Sequence, residues 1–235
     1  MYILKFEPSF RMPFSRKHTS DAAGRPSKPF DANCSDCPRL VAHLNTVGLR
    51  YPLYFNAPVP TWGGKREKLL IVGLAPGLHG ANRTGRPFTG DSSGEVLFAA
   101  LVNNGFAAMG KSPSTIRLIG TRVTNAVRCL PPDNSPTTSE LDRCRPYLQG
   151  DVQSLQLSRP RVNRCIVVLG RLAFRSVSKI LNIRSAFAHG AHIKVSNHLS
   201  VFVSYHPSRL NINTKRLTKT MLNDFFGSVR SYLDE

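Results

Sequence analysis

The sequence predicts an α/β protein in which helices cover both faces of a parallel β-sheet. Three observations lead to this class. The chain has 235 residues, enough for one α/β domain with a full core. Short apolar runs recur along it, and helical segments separate those runs. We expect a single domain over residues 31–235, preceded by a basic, flexible arm over residues 1–30.

Four apolar or β-branched runs are predicted to be strands. In chain order they are 68–75 (KLLIVGLA), 121–127 (TRVTNAV), 164–170 (RCIVVLG) and 200–208 (SVFVSYHPS). Each has the length and the apolar character of a strand in the interior of a sheet.

The segments between these strands have helical patterns. The helix predicted at 92–105 starts at serines and stops at a glycine. Segment 135–155 begins with capping residues, and Pro146 within it predicts a bend or a break. Helices are also predicted at 171–181 and, as an amphipathic end of the chain, at 217–233.

Three segments that contain glycine, asparagine or histidine lie at the C-terminal ends of predicted strands. They are the loop 73–91 (GLAPGLHGANRTGRPFTGD), TNAVRC and SYHPSR. Because the carboxyl ends of parallel strands share one edge of the sheet, we expect these segments to meet in one crevice. The glycine loop matches neither the P-loop of NTP-binding proteins nor the glycine pattern of dinucleotide-binding proteins. Its glycines would let the backbone pass close to a flat ligand, with Phe88 as a stacking face and Arg83 and Arg86 as positive charge.

The charge balance indicates a polyanionic partner. Lysine and arginine exceed aspartate and glutamate by 18 charges, and nucleic acid is the commonest partner of such a surface; a generally basic surface is the alternative. No apolar run is long enough to span a bilayer, and the N-terminus lacks the pattern of a signal peptide. We therefore expect a cytoplasmic protein with reduced thiols.

The cysteine pattern favours a soft metal site. Cys34 and Cys37 form a C-x-x-C pair, and Cys129 and Cys144 lie outside the predicted strand cores. Four thiolates suit zinc or an iron–sulfur cluster, and the wide spacing of the second pair leans toward a cluster. Four unrelated buried thiols are the other interpretation. Cys165, inside an apolar strand, is predicted to be an ordinary core residue.

Taken together, the motifs resemble the family 5 uracil-DNA glycosylases, iron–sulfur enzymes of prokaryotes. GLAPGLHGANRTGRPFTGD, TNAVRCLPPDNSPT, CRPYL and SYHPSRLNINTKRLT occur in the order of that family, and the resemblance runs from about residue 34 to the C-terminus. It implies a three-layer α/β/α sandwich around a four-stranded parallel sheet. It also implies base excision repair of DNA containing uracil or other deaminated bases, by a monomer associated with the nucleoid. Cys34, Cys37, Cys129 and Cys144 match the ligands of the family's structural [4Fe-4S] cluster.

The resemblance also assigns residues to the base pocket. Phe88 would stack on the flipped base, and the amide of Asn125 offers both a donor and an acceptor to the polar edge of uracil. Gly73 and Ala75 of the first motif would bind the base as well. His206 is the expected donor to the departing base, and a neutral imidazole suffices for that role.

The motifs offer two candidates for the residue that activates water. Leu74 stands where related families carry a polar residue, so Asn82 and Asp91 are the candidates. Asn82 ranks first, since Asp91 is also the expected N-cap of the following helix.

The remaining assignments concern DNA and reaction type. Phosphate contacts and a wedge are expected from Arg209, Leu210, Lys215 and Arg216. No lysine lies within the motifs before Lys215, so simple hydrolysis is expected rather than a Schiff base. The competing hypothesis is a non-enzymatic iron–sulfur protein that binds nucleic acid.

Overall fold

A mixed β-sheet runs through the part of the chain that this computed structural model describes, residues 27–64, 67–110, 115–158 and 161–235. The strands of the described residues are β1 (Trp62–Gly63), β2 (Leu69–Gly73), β3 (Ala107–Met109), β4 (Ile116–Leu118), β5 (Thr121–Asn125), β6 (Arg164–Leu169), β7 (His192–Ser196) and β8 (Leu199–Ser204). Six of them form the mixed sheet, and β3 and β4 form a separate antiparallel hairpin. The helices are α1 (Pro38–Arg50), α2 (Ala81–Thr84), α3 (Ser92–Asn103), α4 (Thr138–Ser158), α5 (Arg171–Leu181), α6 (Arg209–Asn213) and α7 (Lys219–Asp234).

The four predicted strands form the middle of this sheet. The strand order is β1-β5-β2-β6-β8-β7, and the inner neighbours β5, β2, β6 and β8 are parallel. The expected four-stranded parallel sheet is therefore present. It is extended at each edge by an antiparallel strand, β1 and β7, that was not predicted. Neither edge strand is a buried apolar run: β1 has two residues, and β7 alternates between exposed and half-buried positions.

Helices cover both faces of the sheet, which confirms the three-layer α/β/α sandwich. Leu69 and Ile71 of β2 point toward the cluster that contains the apolar residues of α3 and α7. Leu70 and Val72, the alternating residues, point toward the cluster formed with α4 and α5. Because side chains alternate along a strand and both faces are covered, β2 is apolar and buried at every position.

Helix α4 runs without interruption through Pro146, so the break expected there does not occur. A proline removes one helical hydrogen bond. The helix is held against the sheet by buried side chains on both sides of the proline, among them Leu141, Leu148 and Val152. This packing stabilises the helix across the lost bond.

The predicted N-terminal arm lies mostly outside the described residues, which begin at 27. The end of that segment contacts the domain: the Lys28 backbone N–H donates to the Pro146 carbonyl at 3.1 Å, and the Lys28 ammonium lies 3.1 Å from Asp36. Within the described part of the chain, no helix has the length and apolarity to cross a membrane.

Candidate active site

The three predicted segments meet at the carboxyl edge of the inner strands. Gly73 ends β2 and Asn125 ends β5, and the two residues are direct partners in the sheet. The glycine loop leaves from Gly73, and the His206-Pro-Ser segment follows β8 two places along the same edge. The crevice inferred from the sequence is thus formed by the fold.

Gly73 is the point where the aromatic and the amide side chains converge. A methyl group at Gly73 would lie 2.5 Å from Oδ1 of Asn125 and 2.6 Å from the ring of Phe88, so only glycine fits. Asn125 and Phe88 are buried, with 3% and 7% of their surface exposed. Phe88 has a left-handed backbone with φ of 54°, a strained conformation that is concentrated at functional sites.

The imidazole of His206 completes this group. Its ring stacks with that of Phe88, with centroids 5.6 Å apart and planes 29° from parallel. Burial lowers the pKa of His206, and the negative charge of Asp91 opposes this shift only in part. The imidazole is therefore neutral near pH 7 and has one N–H to donate. The Asn211 amide donates to the His206 carbonyl at 2.8 Å and fixes the turn.

Asn82 and Asp91, the two candidate water-binding residues, differ in the hydrogen bonds that their side chains make. Asn82, on α2, is fully buried; its Nδ2 donates to Oδ1 of Asn56 at 2.8 Å. Its Oδ1 is buried and has no hydrogen-bond partner within the described protein. Asp91 caps α3 as predicted, since one carboxylate oxygen accepts the Gly94 N–H at 2.9 Å. Its other oxygen faces the glycine loop, where a side chain at Gly80 would overlap it.

His206 also lines a cavity of about 280 Å³. Leu74, Tyr205, Asn211 and Arg216 are among the residues that line it. Its volume lies near the lower end of the range of roughly 300–1,000 Å³ found for small-molecule pockets. Ala75, assigned to the base from its motif, packs with its methyl group against the core on the α4 side.

The predicted DNA-contact residues all follow His206 and reach the surface. Leu210, on α6, exposes 72% of its surface. The Arg209 Nε donates to Ser92 Oγ at 2.9 Å, which joins α6 to the start of α3. The guanidinium of Arg216 lies 4.9 Å from the ring centre of Tyr205, a cation–π contact, and Arg216 and Lys215 are both exposed.

The four predicted metal-ligating cysteines lie together in a separate pocket. Cys34, Cys37, Cys129 and Cys144 line one small cavity with apolar neighbours that include Leu40. Burial raises the pKa of Cys129 to about 12, and the three other thiols add to that rise. The backbone N–H of Arg128 points at the Cys144 sulfur at 3.3 Å.

The spacing of these four thiols decides which metal group the pocket could bind. Within the described residues, no three His, Cys, Asp or Glu side chains approach closely enough to hold a single ion. An iron–sulfur cluster needs a wider arrangement, because each thiolate binds a different iron. The donor set, four thiols from three chain segments in apolar surroundings, fits such a group. Cys165 lies apart, fully buried in β6, as expected.

Comparison with known proteins places these motifs in a family. A sequence model of the uracil DNA glycosylase superfamily matches residues 60–230. The chain is 43% identical over 194 residues to the type-5 uracil-DNA glycosylase of Pyrobaculum aerophilum, which covers 79% of this chain and 83% of the relative.

The chain belongs to the type-5 uracil-DNA glycosylases.

Further relatives support this placement. The type-5 enzyme of Thermus thermophilus is 40% identical over 198 residues, 80% of this chain and 88% of the relative. A type-4 uracil-DNA glycosylase of Pyrobaculum aerophilum is 29% identical over 154 residues, 65% of this chain and 63% of the relative. The resemblance inferred from the four motifs is confirmed.

Three residues around the pocket of this type-5 glycosylase were not found from the sequence. Asn56 holds the Asn82 amide, Asn211 fixes the carbonyl of His206, and Gly94 leaves room for the carbonyl of Phe88. Asn211 lies inside a motif and Gly94 lies three residues after one, so close inspection of small and amide residues there would have marked them. Asn56 lies outside every motif, and only its contact reveals it.

Proposed function

We propose that this protein is a monofunctional uracil-DNA glycosylase that flips uracil, and other deaminated bases, out of DNA and hydrolyses the N-glycosidic bond in base excision repair. The observation that carries the proposal is the meeting of Phe88 and Asn125 at Gly73, with the ring of His206 stacked on that of Phe88. A stacking ring, an amide and a neutral imidazole form a set suited to a planar base with alternating carbonyl and N–H groups.

The pocket would recognise the base after it leaves the helix. Unstacking costs a few kcal/mol, and less for a mispaired base, so uracil opposite guanine is favoured. Phe88 then stacks on the pyrimidine, and the Asn125 amide pairs with its donor and acceptor edge. Since both side chains are buried before the base arrives, little reorganisation is needed when it binds.

Bond cleavage requires stabilisation of charge on two sides. As the C1′–N1 bond breaks, negative charge develops on the uracil carbonyl, and the N–H of His206 would stabilise it. Positive charge develops on the sugar, and the carboxylate of Asp91 would offset it. The oxygen of a water molecule bonds to C1′, the base departs as an anion, and the proton of the water passes to the base or to solvent.

Asn82 is the better candidate for orienting that water. Its buried Oδ1 lacks a partner, which costs about 1–3 kcal/mol unless a ligand or water supplies a donor. An amide orients water without removing its proton. Asp91 has one oxygen committed to the helix cap, which supports a secondary, electrostatic role for it.

The DNA duplex would be held by the segment after His206. Arg209, Lys215 and Arg216 contact phosphates, and Leu210 fills the space left by the flipped nucleotide. The net charge of +18 supports this binding over the whole surface. We further propose one catalytic domain over residues 31–235, acting as a monomer in the cytoplasm of a prokaryotic cell.

The four-cysteine pocket would hold a [4Fe-4S] cluster through Cys34, Cys37, Cys129 and Cys144. When bound, the cluster supplies a structural cross-link between the N-terminal segment, the exit of β5 and α4. The residues of the base pocket perform the hydrolysis without it.

A uracil-containing oligonucleotide tests the proposed activity. Incubation of the purified protein with a duplex holding one U:G pair, followed by alkali, should break the strand at the uracil. Without alkali the strand should stay intact, because hydrolysis leaves an abasic site. Binding without any alkali-labile site would instead favour a non-enzymatic nucleic-acid-binding protein.

A further inference from the structure

An exposed apolar turn beside the glycine loop is not accounted for by the motifs. It follows α1 and comprises Tyr51–Asn56. Leu53 exposes 96% of its surface, and the nearby Leu49 and Phe55 expose 88% and 43%. Single exposed apolar residues are ordinary, but a group of three within seven residues marks a contact surface.

The turn is built to hold Leu53 outward. The Tyr54 N–H donates to the Tyr51 carbonyl at 3.0 Å, which closes a β-turn with Pro52 and Leu53 at its centre. The rings of Tyr51 and Tyr54 stack at 4.8 Å, and the Asn56 amide donates to the Tyr51 carbonyl at 2.8 Å. Leu53 is therefore presented on a fixed support and is not part of a frayed helix end.

Hydrogen bonds attach this turn to the glycine loop. The N–H groups of Phe55 and Asn56 donate to the carbonyls of Arg83 and Asn82, each at 3.3 Å. The Tyr54 hydroxyl pairs with Nδ1 of His79 at 3.0 Å. The turn thus borders the mouth of the candidate active site, and Asn56 also holds the side chain of Asn82.

The charge around the turn suits a polyanion. Residues 49–56 contain no acid, and the guanidinium of Arg50 lies 5.4 Å from the ring centre of Tyr51. Arg83 and Arg86 of the adjoining loop are exposed. An apolar tip surrounded by arginines and aromatic rings is the chemistry by which proteins touch phosphates and enter base steps.

We propose that Tyr51–Asn56 is a second DNA-contacting turn, in which Leu53 enters the duplex next to the flipped nucleotide. It acts together with Leu210, the exposed leucine of the segment after His206. The link from Asn56 to Asn82 joins this contact to the residue that orients water. The inference rests on the proposed function for the identity of the partner as DNA.

Binding and local unstacking test this contact without requiring catalysis. The duplex carries a stable abasic analogue in place of the uracil nucleotide, with 2-aminopurine as the neighbouring base. The unaltered protein should bind and raise the 2-aminopurine fluorescence. Leu53→Ala should weaken binding about tenfold, as removal of a stacking or wedge side chain does, and should suppress the rise in fluorescence. Leu157→Ala is the matched control, because Leu157 is 81% exposed on α4, away from the pocket.

The outcomes separate this proposal from the proposed function. If Leu53→Ala binds and unstacks as the unaltered protein and Leu157→Ala do, the turn does not contact DNA, and a protein partner becomes the explanation for its exposure. A fluorescence rise that survives in Leu53→Ala also overturns the proposal. If the unaltered protein excises no uracil, yet Leu53→Ala weakens binding and unstacking, the contact stands and the enzymatic proposal falls.

Discussion

The candidate active site and the four-cysteine pocket are both supplied by the chain that leaves β5, yet they have opposite characters. Asn125 lies against Gly73 in the candidate active site, and four residues later Cys129 lines the cysteine pocket. The first holds Oδ1 of Asn82, a buried polar atom for which the described residues supply no hydrogen-bond donor. The second surrounds its thiols with apolar side chains. The difference shows that the hydrogen-bonding state of the surrounding atoms, as well as the reactive groups, determines what a site can bind.

Arg128 lies along the chain between Asn125 and Cys129, and its contacts link β5 to α4. Its backbone N–H points at Cys144, while its guanidinium contacts Thr124, which precedes Asn125, and pairs with Asp151. Asp151 also pairs with Arg122 at 2.8 Å. Because Arg128 and Asp151 are buried, this network fixes the path of the chain from the base pocket to the cysteines.

The largest expected effect is on the polar side of the comparison. Asn125→Asp keeps the shape of the side chain and places a negative charge against the base, so single-turnover excision from a U:G duplex should fall about a hundredfold. Asn45→Asp makes the same chemical change at an exposed position of α1 and should leave the rate unaltered. Equal rates for the two variants would remove Asn125 from the base pocket.

The cysteine side is tested by a matched pair of substitutions. Cys129→Ala should abolish the brown colour and the iron content, and lower the free energy of unfolding by about 4 kcal/mol or more, because a structural metal group is lost. Cys165→Ala should keep both colour and iron and cost only about 1 kcal/mol. Colourless, zinc-containing protein with full activity would contradict the cluster.

The smallest expected effect concerns the protonation of His206. Because its pKa in the folded protein lies below the ordinary value of 6.5, the contribution of His206 to the free energy of unfolding should be constant above that pH and decline below it. The unfolded chain then binds a proton that the folded chain does not, at up to about 1.4 kcal/mol per pH unit. His189, whose pKa is also lowered by burial, contributes in the same direction.

Chemical denaturation at several pH values measures this decline. His206→Gln should make it shallower, since one of the two histidines no longer titrates. Parallel curves for the variant and the unaltered protein would mean that His206 is not buried in its neutral form.

Much of the fold follows from local patterns. The four inner strands were predicted from short apolar or β-branched runs, and the helices α3, α4, α5 and α7 from helical patterns and capping residues between those runs. Helix α1 has such a signal too, with Leu40, Leu44 and Val47 buried on one side, although it was not predicted. The edge strands have no such signal, because each buries only part of its surface.

Motifs likewise located the candidate residues without their geometry. Phe88, Asn125 and His206 come from segments far apart in the chain. Only the parallel pairing of β5, β2, β6 and β8, in that order, brings them together. The support that Asn56 gives to Asn82 was hidden, since a hydrogen bond between distant residues leaves no pattern along the sequence.

By itself, the sequence determined the fold class and the family, and it proposed the residues of the candidate site, because burial period and motif order are written along the chain. The tertiary structure alone decided which amide oxygen lacks a partner among the described residues, which turn presents Leu53 and how Arg128 links β5 to α4. Such relations depend on distances between segments, and those distances arise only when the sheet and its helices pack.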